Sequence, residues 1–214
     1  MTDQLPPLIL GSGSPRRCEL LGRLGLDFEV ATPQVDESPL AGEPPPLHTL
    51  RVARLKAKAV AERHPGHPVL AADTIVALGE AAFGKPRDRS DAARMLGELA
   101  GKVHTVLTAL VLHLDGREAC HLEAARVTMT PFRRQLVAWY VATGEGDDKA
   151  GAYAVQGKGA VLVERVDGNV ETVIGLPLAP IPVLFTALGL DLVQSGDRLV
   201  LSRRDVLPHR VPRD

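Results

Sequence analysis

The sequence predicts an α/β fold: a mixed β-sheet with flanking helices. Strand-like and helix-like segments alternate over the first half of the chain. Two long β-patterned runs, Val103 to Leu114 and Cys120 to Thr130, then follow one another directly. Alternation belongs to α/β architectures and clustered strands to antiparallel pairing, so together they predict a mixed sheet. The apolar set is mostly Val, Leu, Ile and Ala, with aromatics at only 3%. No linker or repeat divides the 214 residues, so residues 1–214 read as a single domain, of one or two lobes.

The elements follow from local pattern. Leu8-Ile9-Leu10 is a short buried strand. Gly11-Ser12-Gly13-Ser14 is a loop, after which Ser14 is placed to cap a helix and Pro15 to occupy its first position. Cys18, Leu20, Leu21 and Leu24 recur at helical spacing as far as Gly25. Phe28-Glu29-Val30 alternates like a strand. Ala41-Gly42-Glu43-Pro44-Pro45-Pro46 reads as a rigid loop, and Leu50 to Glu62 as a helix with Val52, Leu55, Ala59 and Val60 on one face. Val69 to Leu78 is a strand interrupted only by Asp73 and Thr74. Ser90-Asp91 opens a helix ending near Gly101, and Pro131 opens another reaching Gly144. Ala160 to Val166 is a strand. Leu178 to Leu188 is a helix whose Pro180 and Pro182 belong in its first turn or at a kink. The polar stretch 205–214 is expected to be a loose tail.

Composition excludes several functions. The 25 basic and 26 acidic side chains give a formal net charge of -1, without the basic excess of a non-specific nucleic-acid binder. Few aromatics argue against a base-stacking platform. No stretch reaches the ~20 apolar residues of a membrane span, and the first residues lack the basic region of a signal peptide. Cys18 and Cys120 are far apart, without a CxxC pattern, so neither a disulfide framework nor a structural zinc site is expected; a reducing, cytoplasmic setting fits.

Four segments carry candidate chemistry. Gly11-Ser12-Gly13-Ser14-Pro15-Arg16-Arg17 joins a strand to a helix start, where free backbone N–H groups favour an anion. Two arginines in a first turn oppose the helix dipole unless an anion is present; the alternative is a surface turn with two solvated arginines. Asp73 in Ala71-Ala72-Asp73-Thr74 is a carboxylate within an apolar strand, which must be paired or face a cleft; a buried structural aspartate is the alternative. Glu37, in the acidic pair Asp36-Glu37, can join Asp73 in holding a hard divalent cation through oxygen, or belong to a plain polar turn. Lysines number 6 against 19 arginines. Lys85, in Gly84-Lys85-Pro86, and Lys56 are therefore candidate phosphate contacts, with an exposed helix position as the alternative for Lys56. Finally, Gly144 to Gly157 combines Lys149, Tyr153 and Gln156 with small residues, and the Gln156 amide can read the edge of a base. Ser12 and Ser14 have no evident His partner, which argues against a serine hydrolase.

In this order, Ser12-Gly13-Ser14-Pro15-Arg16-Arg17, Ala72-Asp73-Thr74, Gly84-Lys85-Pro86, Asp148-Lys149-Ala150-Gly151-Ala152-Tyr153 with Gln156-Gly157, and Gly175-Leu176-Pro177 resemble the Maf family of nucleoside triphosphate pyrophosphatases. The resemblance runs from about Leu8 to Leu178. It implies a Maf/ITPase-like fold with two lobes around a central cleft. It also implies a divalent metal, Mg or Mn, and hydrolysis of a nucleoside triphosphate to monophosphate and diphosphate. Asp73-Thr74 together with Gln156 resemble the branch acting on dTTP and UTP. Asp73 matches the catalytic base, and Arg16, Thr74 and Gln156 match positions associated with substrate choice. The expected site is therefore Asp73 and Lys85 as catalytic residues, Glu37 and Asp73 for metal, and Ser12, Ser14, Arg16, Arg17, Lys56, Thr74, Lys149 and Gln156 for substrate. A homodimer is the expected assembly. Two other readings remain: a nucleotide-binding regulatory protein linked to septation, and an ITP/XTP-type house-cleaning enzyme, disfavoured by the Ser-Pro-Arg-Arg loop. Gly11 stands where the family usually has Ala, and Asn169-Val170-Glu171-Thr172 lacks the family's common aromatic.

Overall fold

A computed structural model describes residues 4–204; the expected tail at 205–214 lies outside them. Strand β1 (Leu8–Gly11) is buried throughout and pairs in parallel with β2 (Phe28–Val30) and with β3 (Val69–Leu78). Parallel neighbours need crossovers. Helices α1 (Pro15–Gly22) and α2 (Pro45–Ala61) supply them. On its other side β3 pairs antiparallel with β5 (Val103–Leu114), β5 with β6 (Arg117–Met129), and β6 with β7 (Val163–Asp167). The sheet order is β2-β1-β3-β5-β6-β7, with β4 (Ala81–Phe83) folded back on the end of β3. The sheet is mixed, as expected, with helices α3 (Arg89–Leu99), α4 (Arg134–Ala142), α5 (Val170–Ile174) and α6 (Ile181–Ala187) completing the domain. A separate hairpin, β8 (Leu190–Ser195) and β9 (Arg198–Arg203), follows.

Several expected boundaries move. Helix α2 begins at Pro45, so Pro45 and Pro46 belong to its first turn rather than to a rigid loop; a missing N–H is harmless there. Pro180 caps α6 and Pro182 lies in its first turn, so neither kinks it. Ser14 does stand before α1, but its side chain makes no capping hydrogen bond. Residues 157–162 form 3₁₀ turns, which delays β7 to Val163.

The core is interrupted where the site lies. On one face of the sheet, Leu70 and Ala72 of β3 join a core with Leu8, Leu10, Leu110, Leu112 and Phe185. Further along, Val76 joins a second core with Phe83, Leu96, Leu99, Val106 and Tyr140. On the other face Ala71 packs with Ala53 and Ala57 of α2, and Ile75 packs with Leu107. Asp73 and Thr74 fall between these clusters on their respective faces. Among the described residues, no helix is long and apolar enough to cross a membrane.

Candidate active site

A cleft of about 920 Å³ opens at this interruption. All eleven residues expected at the site line it: Ser12, Ser14, Arg16, Arg17, Glu37, Lys56, Asp73, Thr74, Lys85, Lys149 and Gln156. The first loop reaches it because β1 ends at Gly11 and α1 starts at Pro15. Ser12 is buried and its Oγ accepts the Ser14 N–H at 3.2 Å, closing a tight turn.

One end of the cleft is charged. Lys56 of α2 is 6% exposed, which rules out the exposed helix position considered for it. Its Nζ lies 2.7 Å from Asp73 Oδ1 and 3.0 Å from Glu37 Oε2. Burying one ammonium against two carboxylates satisfies the rule that buried charge is paired. The loop bearing Glu37 is pinned from α2. Arg51 donates to Glu43 at 2.6 and 2.7 Å and to the Ser38 carbonyl at 2.9 Å. That guanidinium holds the Glu43 carboxyl down at about 2.

The two arginines of the first loop separate. Arg16 extends along the cleft, 3.5 Å from the exposed Asp148. Arg17 turns inward, towards β3 and residue 175. It donates to the carbonyls of Ala72 (2.8 Å) and Gly175 (2.9 Å), to Ser12 Oγ (3.2 Å) and to Thr74 Oγ1 (3.1 Å). Burial lowers its pKa, with Asp73 and Glu37 opposing. Four of its five N–H groups thus bind the protein, bracing the loop against β3 and residue 175, while the side chain still lines the cleft.

The opposite end is built from turns. Tyr153 is buried, and its hydroxyl meets His104 Nε2 at 2.7 Å. The Tyr140 hydroxyl accepts the Ala154 N–H at 3.0 Å, and Glu145 accepts the N–H groups of Lys158 (2.9 Å) and Gly159 (2.7 Å). Gly151 adopts φ +71 against Val76, a conformation and a space closed to a larger residue. These ties present Lys149 and Gln156 to the cleft. Lys149 bonds the Glu145 carbonyl and Asp148 Oδ1. Gln156 is exposed, and its amide has no partner among the described residues. Lys85 is likewise exposed at the rim.

The residues present fit a hard divalent ion. Glu37 and Asp73 aim carboxylate oxygens at one point, presently taken by the Lys56 ammonium. Among the described residues no three His, Cys, Asp or Glu side chains cluster as a complete cage. That suits Mg²⁺ or Mn²⁺, which commonly bind through one or two carboxylates plus phosphate oxygens and water.

Sequence reasoning passed over some of the lining. Arg87 adds a cation directly after Gly84-Lys85-Pro86, held by the buried Asp91 at 3.3 Å. Asp148 sits between Arg16 and Lys149. Arg87 was legible as a third basic or stiff residue in that short run; His104 was not, because its partner is 49 residues away.

A family profile described as "Maf-like protein" matches residues 7–188. A protein of Anaeromyxobacter dehalogenans named dTTP/UTP pyrophosphatase is 49% identical over 87% of this chain and 96% of its own. Proteins of the same name from Myxococcus xanthus and Symbiobacterium thermophilum are 47% and 43% identical, over 86% and 88% of this chain and 94% and 97% of theirs. A Vibrio cholerae protein of known crystal structure overlaps 65% of this chain and 78% of its own, at 12% identity and a TM-score of 0.39.

Proposed function

The chain belongs to the Maf family, and from that premise we propose that its cleft hydrolyses dTTP and UTP to the nucleoside monophosphate and diphosphate. The observation that carries this reading is the convergence of Asp73, Lys56, Glu37, Lys85, Lys149 and Gln156 on one cleft. A triphosphate has about four negative charges and a base with a polar edge. The cleft offers several cations, Lys56, Arg16, Lys85 and Lys149, together with the unpartnered amide of Gln156.

Asp73 is the base. Its Oδ1 holds Lys56, and it takes a proton from a water that attacks the α-phosphorus. The new bond is from water oxygen to phosphorus, the bond to the bridging oxygen breaks, and diphosphate leaves. Lys56, Lys85 and Arg16 offset the charge that collects on the phosphate oxygens, aided by the N–H groups at the start of α1. Glu37 and Asp73 would hold the divalent cation, which when bound neutralises phosphate charge and acidifies water. Ser12 and Ser14 shape the loop that wraps the phosphates. Thr74 and Gln156 face the base.

The test is a panel of canonical and modified triphosphates with Mg²⁺ or Mn²⁺, with separation of phosphate from diphosphate. Diphosphate from dTTP and UTP is expected. Orthophosphate as the inorganic product would exclude attack at the α-phosphorus, and preference for CTP or a purine would exclude the substrate assignment.

A further inference from the structure

Thr108 lies in the middle of β5, opposite Thr74 in the register, is fully buried, and does not line the cleft. Its hydroxyl donates to the Thr172 carbonyl at 2.7 Å. A threonine hydroxyl has one proton and two lone pairs, so that donation spends the only proton Thr108 has. The 2.9 Å contact between Thr108 Oγ1 and Thr74 Oγ1 must then run the other way, with Thr74 donating. Arg17 Nη2 donates to Thr74 Oγ1 at 3.1 Å. The chain of bonds therefore has one direction: Arg17 to Thr74 to Thr108 to the Thr172 carbonyl. Guanidinium N–H groups only donate and a carbonyl only accepts, so neither end permits reversal.

This direction decides what Thr74 presents to the cleft. Its proton is committed to Thr108 and one lone pair to Arg17. The remaining lone pair is an acceptor. We propose that Thr108 is a positioning residue for base selection: by taking the Thr74 proton, it makes Thr74 an acceptor-only group that favours uracil and thymine, whose N3 carries a proton, over cytosine, whose N3 does not. The proposal rests on the nucleotide reading above. Thr108 touches no substrate, and its effect passes through the Thr74 hydroxyl alone.

Thr108→Val keeps the shape and removes the acceptor. The Thr74 hydroxyl is then free to rotate its proton toward the cleft and meet cytosine N3. The experiment measures kcat/KM for UTP and CTP in the wild type, Thr108→Val and Thr108→Ser. Valine should lower the UTP-to-CTP ratio by ~10-fold, about one hydrogen bond. Serine, which retains the relay, should restore it. A fall in both substrates with an unchanged ratio would make Thr108 merely structural and overturn the proposal. If valine at this buried site prevents folding, Thr108→Cys serves instead. A thiol is a weak donor and acceptor, so the ratio should fall part of the way; a wild-type ratio in that variant overturns the proposal equally. A wild-type chain indifferent to UTP and CTP would sink the substrate reading itself, and the proposal with it.

Discussion

The two ends of the cleft are held in different ways. At the charged end, Glu37, Lys56 and Asp73 are held by one another, through ion pairs that an incoming cation or phosphate can exchange. At the opposite end, residues 144–159 are held by groups that never face the ligand: His104 on Tyr153, Tyr140 on Ala154, Glu145 on two backbone N–H groups. One end is poised to rearrange. The other is fixed before anything binds, as discrimination between similar bases requires, since a site that hydrogen-bonds its substrate rejects analogues only if its donors and acceptors stay in place.

The contrast can be broken most forcefully at Asp73. Asn keeps the shape and removes both the charge and the proposed base. Activity with dTTP should fall at least ~10²-fold while the chain, less stable for the lost buried ion pair, still folds with Glu37 left to pair Lys56. Near-normal turnover, or collapse of the fold, would leave Asp73 as a structural carboxylate.

The fixed end should respond to pH through stability. His104 is 2% exposed, and burial lowers its pKa to about 4 from the ordinary 6.5. The unfolded chain then binds the proton more readily than the folded one. Stability is complete above about pH 6.5 and declines as pH falls toward 4. By pH 5 the loss should be ~2 kcal/mol. Urea titrations at pH 7 and pH 5 measure it, and His104→Gln should flatten the difference. An equal slope in that variant would place the pH dependence elsewhere.

Gln156 tests selection at the same end. Its amide offers a donor for O4 of uracil or thymine, beside the Thr74 acceptor proposed for N3–H. Gln156→Glu removes the donor, so the UTP-to-CTP ratio in kcat/KM should drop ~10-fold. A uniform loss across pyrimidines would reduce Gln156 to a brace for the turn. The smallest effect belongs away from both ends. The exposed Arg54–Glu118 pair, at 2.7 Å, should yield under ~1 kcal/mol on Glu118→Ala, with kinetics unchanged. A larger loss would mean that the outer face of α2 supports the charged end.

Much of this was legible in sequence because it depends on local chemistry. Asp73 and Thr74 stand out as the polar break in an apolar strand, and that break is where the packed clusters separate. Lys56 was equivocal: helical periodicity reports a face, and only the packing of α2 on β3 decides which face is buried. The different settings of Arg16 and Arg17 were not legible, because adjacent arginines look alike in sequence, whereas the carbonyls that capture Arg17 come from residues 72 and 175. Strand β4 and helix α5, at three and five residues, are too short to show a period. The hairpin β8–β9 escaped notice although Gly196 marks its turn, since its alternation is half polar on both faces.

That hairpin also bears on how the molecule assembles. It is bonded to the beginning of the described chain: Leu5 N–H to Leu201 O at 3.0 Å, Asp27 N–H to Leu199 O at 3.0 Å and Leu199 N–H to Gly25 O at 3.1 Å. These contacts join segments at opposite ends of the described sequence, so each closes a very large loop. Closure entropy must be overcome before such contacts reward it, and folding slows as sequence separation grows. The central β3-β5-β6 ladder, built from neighbouring segments, has no such handicap. Loop-closure entropy therefore weighs more heavily on the seam between residues 5–27 and 199–201 than on the β3-β5-β6 ladder.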